Sequence, residues 1–208
     1  MTIWRAWLLS ALAVLALGTS AGAGEIESQP VGVVNRLHEA LLGVLKQAEV
    51  LGYQERLDRL TPALDHAFDL DFMAEKSLGR EWKVLSEGEK KRWCAAFTEL
   101  TRANYAARFN RYSGQTFEML GEEPAAGETV MVRTKVVDPA DEDVSLNYRL
   151  HETEAGWKII DVYLKGTVSE LALRRSDYTS VLKRDGFEAL VSTLDRKIAD
   201  LAAGRVEQ

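Results

Sequence analysis

The stretch GWKIIDVYLKGTVSELALRRSDYTSVLKRDGFEALVSTL, Gly156–Leu194, decides the fold. Its opening residues alternate as an extended chain does. Ile160, Val162 and Leu164 fall on one side, while Trp157, Ile159 and Tyr163 make the other side apolar as well, the pattern of a strand covered on both faces. Gly166 then releases the chain into a helix with Ser169 as its cap and Leu171, Tyr178 and Leu182 along one side. Gly186 suits the left-handed end of that helix. Beyond it, Phe187, Leu190, Val191, Leu194, Ile198 and Leu201 form the continuous apolar stripe of a last helix. A strand running into two helices separated by one glycine points to a mixed α+β domain whose C-terminal helices pack back on its sheet.

The residues just upstream supply the rest of the sheet. Phe117 and Met119 alternate with polar neighbours, as do Val130, Val132 and Val136. Val144, Leu146, Tyr148 and Leu150 alternate with Ser145, Asn147, Arg149 and His151, which predicts strands with one wet face. The connections at 124–127, 138–143 and 152–156 are short and rich in turn residues, so neighbouring strands should pair antiparallel.

Before residue 115 the period is helical. Val31, Val34, Leu37, Leu41, Leu45 and Ala48 share one face of a helix that Gly52 ends. Leu57 and Leu60 begin another stripe before Thr61-Pro62, where Thr61 is read as a cap and the proline as a first helical residue; Leu64 and Phe68 continue the stripe. Ser86 and Glu89 form a capping-box pair in front of a long helix buried along Trp93, Phe97, Leu100 and Ala107, with Lys90, Lys91, Arg92 and Arg102 on its other face. No repeat or long linker divides the chain. The prediction is one domain over 24–208, a four-stranded, twisted antiparallel sheet covered by N- and C-terminal helices.

Residues 1–23 read as a secretory signal peptide. Met1 to Arg5 carries one positive charge, Ala6 to Leu17 is apolar except for Ser10, and Ala21-Gly22-Ala23 is the small-x-small pattern of a cleavage site. The apolar run is shorter than the roughly 20 residues a spanning helix needs, although an uncleaved, membrane-anchored form stays open. The compartment implied is the periplasm. The chain holds 26 basic and 32 acidic residues, and loss of the leader, which carries Arg5 and no acid, takes its formal charge from −6 to −7. Such a chain is a poor ligand for nucleic acid or anionic bilayers. Cys94 is the only cysteine, so no internal disulfide forms and the fold must stand on its core.

Catalytic signatures are sparse. His38, His66 and His151 are scattered without a metal-ligand spacing, which argues against a metal site, and no cofactor motif occurs. No G-x-S-x-G elbow is present, and Cys94 lies within a helix without a local histidine. Asp161 is the best candidate for a shielded general base, as in a small-molecule isomerase or dehydratase. It shares the face opposite Ile160, Val162 and Leu164, which favours pairing with a helix cap or an arginine. Asp69 and Asp71 stand where capping explains them.

Taken with FDLDFMAEKSLGREW (Phe68–Trp82) and NYAARFNRYSGQTF (Asn104–Phe117), the Gly156–Leu194 stretch resembles the toluene-tolerance, or MlaC-like, family of periplasmic lipid-binding proteins, within it most nearly the hopanoid-associated HpnM branch. The likeness rests on the order and spacing of elements across the chain after the leader. It implies a sheet of the nuclear-transport-factor-2 type and a lipid held between sheet and helices, without bond chemistry. Phe68, Phe72, Met73, Trp93 and Phe97 would then face Val132, Leu146, Tyr148, Ile160, Val162 and Leu164 across a cavity. Periodicity alone equally describes an ordinary core. Arg102, Arg108, Arg111, Arg174 and Arg175 are head-group or docking candidates, though solvated helix faces explain them too. The resemblance further implies phospholipid or hopanoid cargo, an inner-membrane partner that is a transport complex of the ABC/MCE type or a hopanoid exporter, and an outer-membrane acceptor complex. Three readings stay open: lipid shuttle, isomerase-like enzyme, and non-transporting adaptor.

Overall fold

The computed structural model describes residues 29–205; the predicted signal peptide lies outside them. Helices α1 (Pro30–Leu45), α2 (Tyr53–Ala67) and α3 (Leu70–Leu78), a 3-10 segment (Gly79–Val84) and the long α4 (Glu87–Arg108) come first. Strands β1 (Thr116–Ala125), β2 (Thr129–Val137), β3 (Val144–Thr153), β4 (Gly156–Leu164) and the short β5 (Val168–Ser169) follow, and α5 (Glu170–Asp185) and α6 (Phe187–Ala202) close the chain.

Local chemistry accounts for most boundaries. Pro30 opens α1, where its missing N–H costs nothing. At α4 the Ser86 N–H donates to the Glu89 carboxylate at 2.8 Å while the Glu89 N–H donates to the Ser86 hydroxyl, closing the capping box. Ser169 accepts from the Ala172 N–H to start α5, and Gly186, at φ 83°, separates α5 from α6. Pro62 departs from expectation. Helix α2 runs through it, because Leu60 and Leu64 on either side are fully buried and Thr61 donates its hydroxyl to the Leu57 carbonyl instead of capping a new helix. Tertiary packing there outweighs the local stop signal.

The strands pair in sequence order, every pair antiparallel. The sheet has five strands, one more than predicted. The addition follows from the three-residue turn at 165–167, in which Lys165 and Gly166 take φ values of 50° and 76°, so Val168 and Ser169 fold back on Leu164 and Tyr163 before α5 begins. The solvent face carries ion pairs such as Lys135 with Glu118 and Asp143.

On the other face, α1 lies against β1, β2 and β4, and the turn between α2 and α3 is pinned to β4 by the Asp69 N–H donating to the Ile159 carbonyl at 2.9 Å. Helix α4 makes no comparable approach to the sheet; it packs on α2, α3 and α6. A bulge in β4 corrects the predicted alternation. Leu150 pairs with Ile159 and Arg149 with Asp161, which leaves Ile160 without a partner and turns Ile159 to the side of Val162 and Leu164. Ile159 therefore joins the core, and Ile160 is buried outside it.

Candidate functional site

The space between α4 and the sheet is a cavity of about 350 Å³. Val136 at the end of β2, Val144 and Leu146 at the start of β3, and Val162 and Leu164 at the end of β4 form its sheet wall, all at one end of the strands. The Val136↔Val144 and Leu146↔Leu164 cross-strand pairs place these side chains in adjacent rows. Phe97, Thr101, Asn104, Tyr105, Arg108 and Phe109 line the opposite wall along successive turns of α4. Phe68 and Met73 close one side, and Glu170, Leu171 and Arg174 from the first turns of α5 close the other.

Six of the eleven apolar candidates meet there: Phe68, Met73, Phe97, Leu146, Val162 and Leu164. The other five sit elsewhere for identifiable reasons. Trp93 is fully buried behind α3, its indole N–H donating to the Ala74 carbonyl at 2.9 Å. Tyr148 and Val132 share a cross-strand row with Val162 but are fully buried under α1, and the Tyr148 hydroxyl is 3.0 Å from His38 Nε2. Ile160 is displaced by the bulge. Phe72 turns away toward His151, their rings 4.8 Å apart, with Lys76 over its face.

The five arginines separate as well. Arg108 and Arg174 line the cavity. Arg102 is committed to Asp65 and Glu99, both at 2.7 Å, on the outer face of α4. Arg175 packs its guanidinium across Gly79, 2.1 Å from where a β-carbon would stand. Arg111 is exposed beyond the end of α4.

Thr101, Asn104, Tyr105, Phe109, Val136, Val144, Glu170 and Leu171 were not singled out as site residues. The signal was available for some of them: Phe97, Thr101, Asn104 and Arg108 continue one helical face at spacings of four, three and four. That face is mixed in polarity, so an apolar-stripe reading passes over it. Thr101 and Asn104 donate back to the Phe97 and Leu100 carbonyls at 2.8 and 2.7 Å. The Tyr105 ring packs between Phe68 and Phe109, and burial pushes its hydroxyl above the ordinary phenol range, with Arg108 and Arg174 pulling the other way.

Asp161, the candidate base, is spent on architecture. Its carboxylate accepts from the Ser169 hydroxyl at 2.6 Å and from the Val162 and Leu171 N–H groups at 2.8 and 3.2 Å, fastening α5 to the bulged strand. Asp69 caps α3 through the Phe72 N–H and lies 2.8 Å from His151 Nε2. Burial, with Asp71 beside it, pushes the Cys94 thiol up to about 11, which keeps it protonated and unreactive. Among the described residues no helix is long and apolar enough to cross a membrane.

Two comparisons bear on this arrangement. The model of the family described as MlaC protein matches residues 35–196. A structure of the phospholipid-binding protein from Ralstonia solanacearum, solved in complex with a phospholipid, is similar to this chain over 82% of its length and 97% of that protein's, at 23% identity and a TM-score of 0.71.

Proposed function

The chain belongs to the MlaC family, which is periplasmic, and on that premise we propose that it is a carrier that takes the apolar part of a lipid into the cavity between α4 and the sheet and moves it between the inner and outer membranes. The observation that carries this reading is the cavity itself, a largely apolar space between α4 and the sheet, beside a core of buried apolar residues. The phospholipid held by the Ralstonia protein of the same fold supports it. Family membership points away from catalysis, and the commitment of Asp161 to α5 agrees with that.

The energetics need no chemical step. At roughly 0.8 kcal/mol per methylene, withdrawing two acyl chains from water is worth on the order of 20 kcal/mol, so a lipid does not cross the aqueous gap unshielded. A cavity as apolar as a bilayer makes the two hosts nearly equivalent, and transfer then turns on docking at each membrane. The cargo is a phospholipid or, if the chain belongs to the HpnM branch, a hopanoid. An inner-membrane transport complex would load or receive it, with an outer-membrane acceptor complex at the other side. The polar end of the cargo would lie where Arg108, Glu170 and Arg174 stand.

Transfer between sedimentable donor and acceptor vesicles tests the reading. The wild-type protein should raise the rate of phospholipid transfer, and Leu146→Trp, which fills the sheet wall, should abolish the increase while the protein keeps its melting transition. Equal transfer with and without protein would sink the carrier reading.

A further inference from the structure

We infer that Arg174 reads an anionic group on the cargo by exchanging Glu170 for it, with the Tyr105 hydroxyl as a second donor. The inference rests on the lipid-carrier reading above and assigns the head-group chemistry that the cavity selects.

Arginine carries five N–H donors in a planar fork. Arg174 lines a largely apolar cavity, where such donors are costly to leave idle. Its engagements are nevertheless loose: Nη1 lies 3.4 Å from the Tyr178 hydroxyl and Nη2 lies 3.6 Å from the Glu170 carboxylate. Charge-assisted bonds usually close to about 2.7–2.9 Å, so neither contact is a settled one. Elsewhere in this protein arginines reach that distance, as Arg92 does with Glu188 and Arg102 with Asp65.

Tyr105 lines the same cavity from α4, near enough for Arg108 and Arg174 to act on its hydroxyl. Among the described residues it has no hydrogen-bond partner, and its burial keeps it a neutral donor. Thr101 has turned its hydroxyl donor to its own helix and Asn104 one of its two amide N–H groups, so Tyr105 and the arginines supply most of the donors left to meet a ligand acceptor. The charges at this end, Arg108 and Arg174 against Glu170, leave one net positive charge, which a single negative charge balances. A phosphodiester or a carboxylate has that charge and the oxygen geometry that matches the guanidinium fork.

Glu170 then has a definite part. Glu170 faces Arg174 across 3.6 Å. A ligand anion takes the guanidinium, and Glu170 must withdraw, so it competes with the cargo and makes the grip reversible. The two residues should therefore respond to substitution with opposite signs.

The test is loading of the full-length protein, purified after export, from vesicles containing equal amounts of phosphatidylglycerol and of diacylglycerol with the same acyl chains, with bound lipid quantified by mass spectrometry. A parallel arm with a free fatty acid distinguishes a carboxylate from a phosphate as the group read. Wild type should favour phosphatidylglycerol over diacylglycerol by about tenfold or more, or, if a carboxylate is the group read, the fatty acid by a similar factor. Arg174→Gln should bring that preference close to unity, Tyr105→Phe should narrow it, and Glu170→Gln should widen it. Tyr105→Phe removes a single oxygen and carries the test if Arg174→Gln does not fold. A preference unchanged in both the Arg174 and Tyr105 variants, or a wild type that loads all three lipids alike, overturns the inference and leaves the carrier reading standing. A folded wild type that loads none of them overturns the carrier reading and this inference with it.

Discussion

The two ends of the same sheet face have opposite fates. At one end Val132, Tyr148, Leu150 and Ile159 are 0% exposed beneath α1 and the α2–α3 turn. At the other, Val136, Val144, Leu146, Val162 and Leu164 front a cavity of about 350 Å³. The residue types barely differ. What differs is the cover: α1 lies directly on the strands, while α4 is held away by its packing on α2, α3 and α6. A cavity in this fold is thus a property of helix placement more than of the strands that line it.

The largest expected effect contrasts truncation at the two ends. Tyr148→Ala removes a fully buried ring and its contact with His38, and should cost about 3–5 kcal/mol of unfolding free energy, read by denaturant titration. Leu164→Ala, on the open side, should cost less than about 1.5 kcal/mol, since the space beside it already exists. Equal losses would mean that the open end is packed in solution.

Acid should act on the packed end. Burial lowers His38 from 6.5 to about 4. The folded state then binds fewer protons than the unfolded state across that interval, so this contribution is complete above about pH 6.5 and falls away as the pH drops toward 4. The upper bound is roughly 3 kcal/mol, read as a difference in the pH dependence of thermal melting between wild type and His38→Gln. A variant with the wild-type slope would show that His38 titrates freely.

Gly79→Ala probes the seam between α3 and α5. The glycine sits at φ 57°, ψ −117°, a region closed to residues with a β-carbon, and Arg175 lies across it. The expected loss is about 1–3 kcal/mol, and Arg175→Ala should recover only the part due to contact, because the backbone strain remains. Full recovery would assign the whole cost to Arg175.

Adding bulk should have the smallest effect on stability and the clearest on function. Val162→Trp should keep its melting temperature within a few degrees and lose lipid, whereas Leu150→Trp one strand away should cost at least about 1–3 kcal/mol through overpacking. Unfolding of Val162→Trp would move that residue from the cavity into the core.

The sequence carried the packed end well. The stripes on α1 and α6, the Ser86–Glu89 box and the alternation along β3 depend on neighbours within one turn or one strand, and such periodicity is written locally. The open end was less legible. Ile160 left the predicted face because of one inserted residue in β4, a register event set by pairing with β3. Gly166 reads from sequence as a release into helix, whereas it sits in the turn that folds β5 back on β4. Tyr148 and Val162 are direct cross-strand partners with the same alternation, yet one is packed and the other faces the cavity, a distinction that depends on where α1 ends and α4 begins. Glu170 and Arg174 become a pair because α5 sets them one turn apart in the cavity lining.

The most direct measurement is native and denaturing mass spectrometry of the protein isolated from its host without detergent, wild type beside Val162→Trp. The account predicts wild type carrying a stoichiometric lipid that Val162→Trp lacks. A wild type reproducibly free of lipid, or a Val162→Trp variant that holds the same lipid in the same amount, would contradict it.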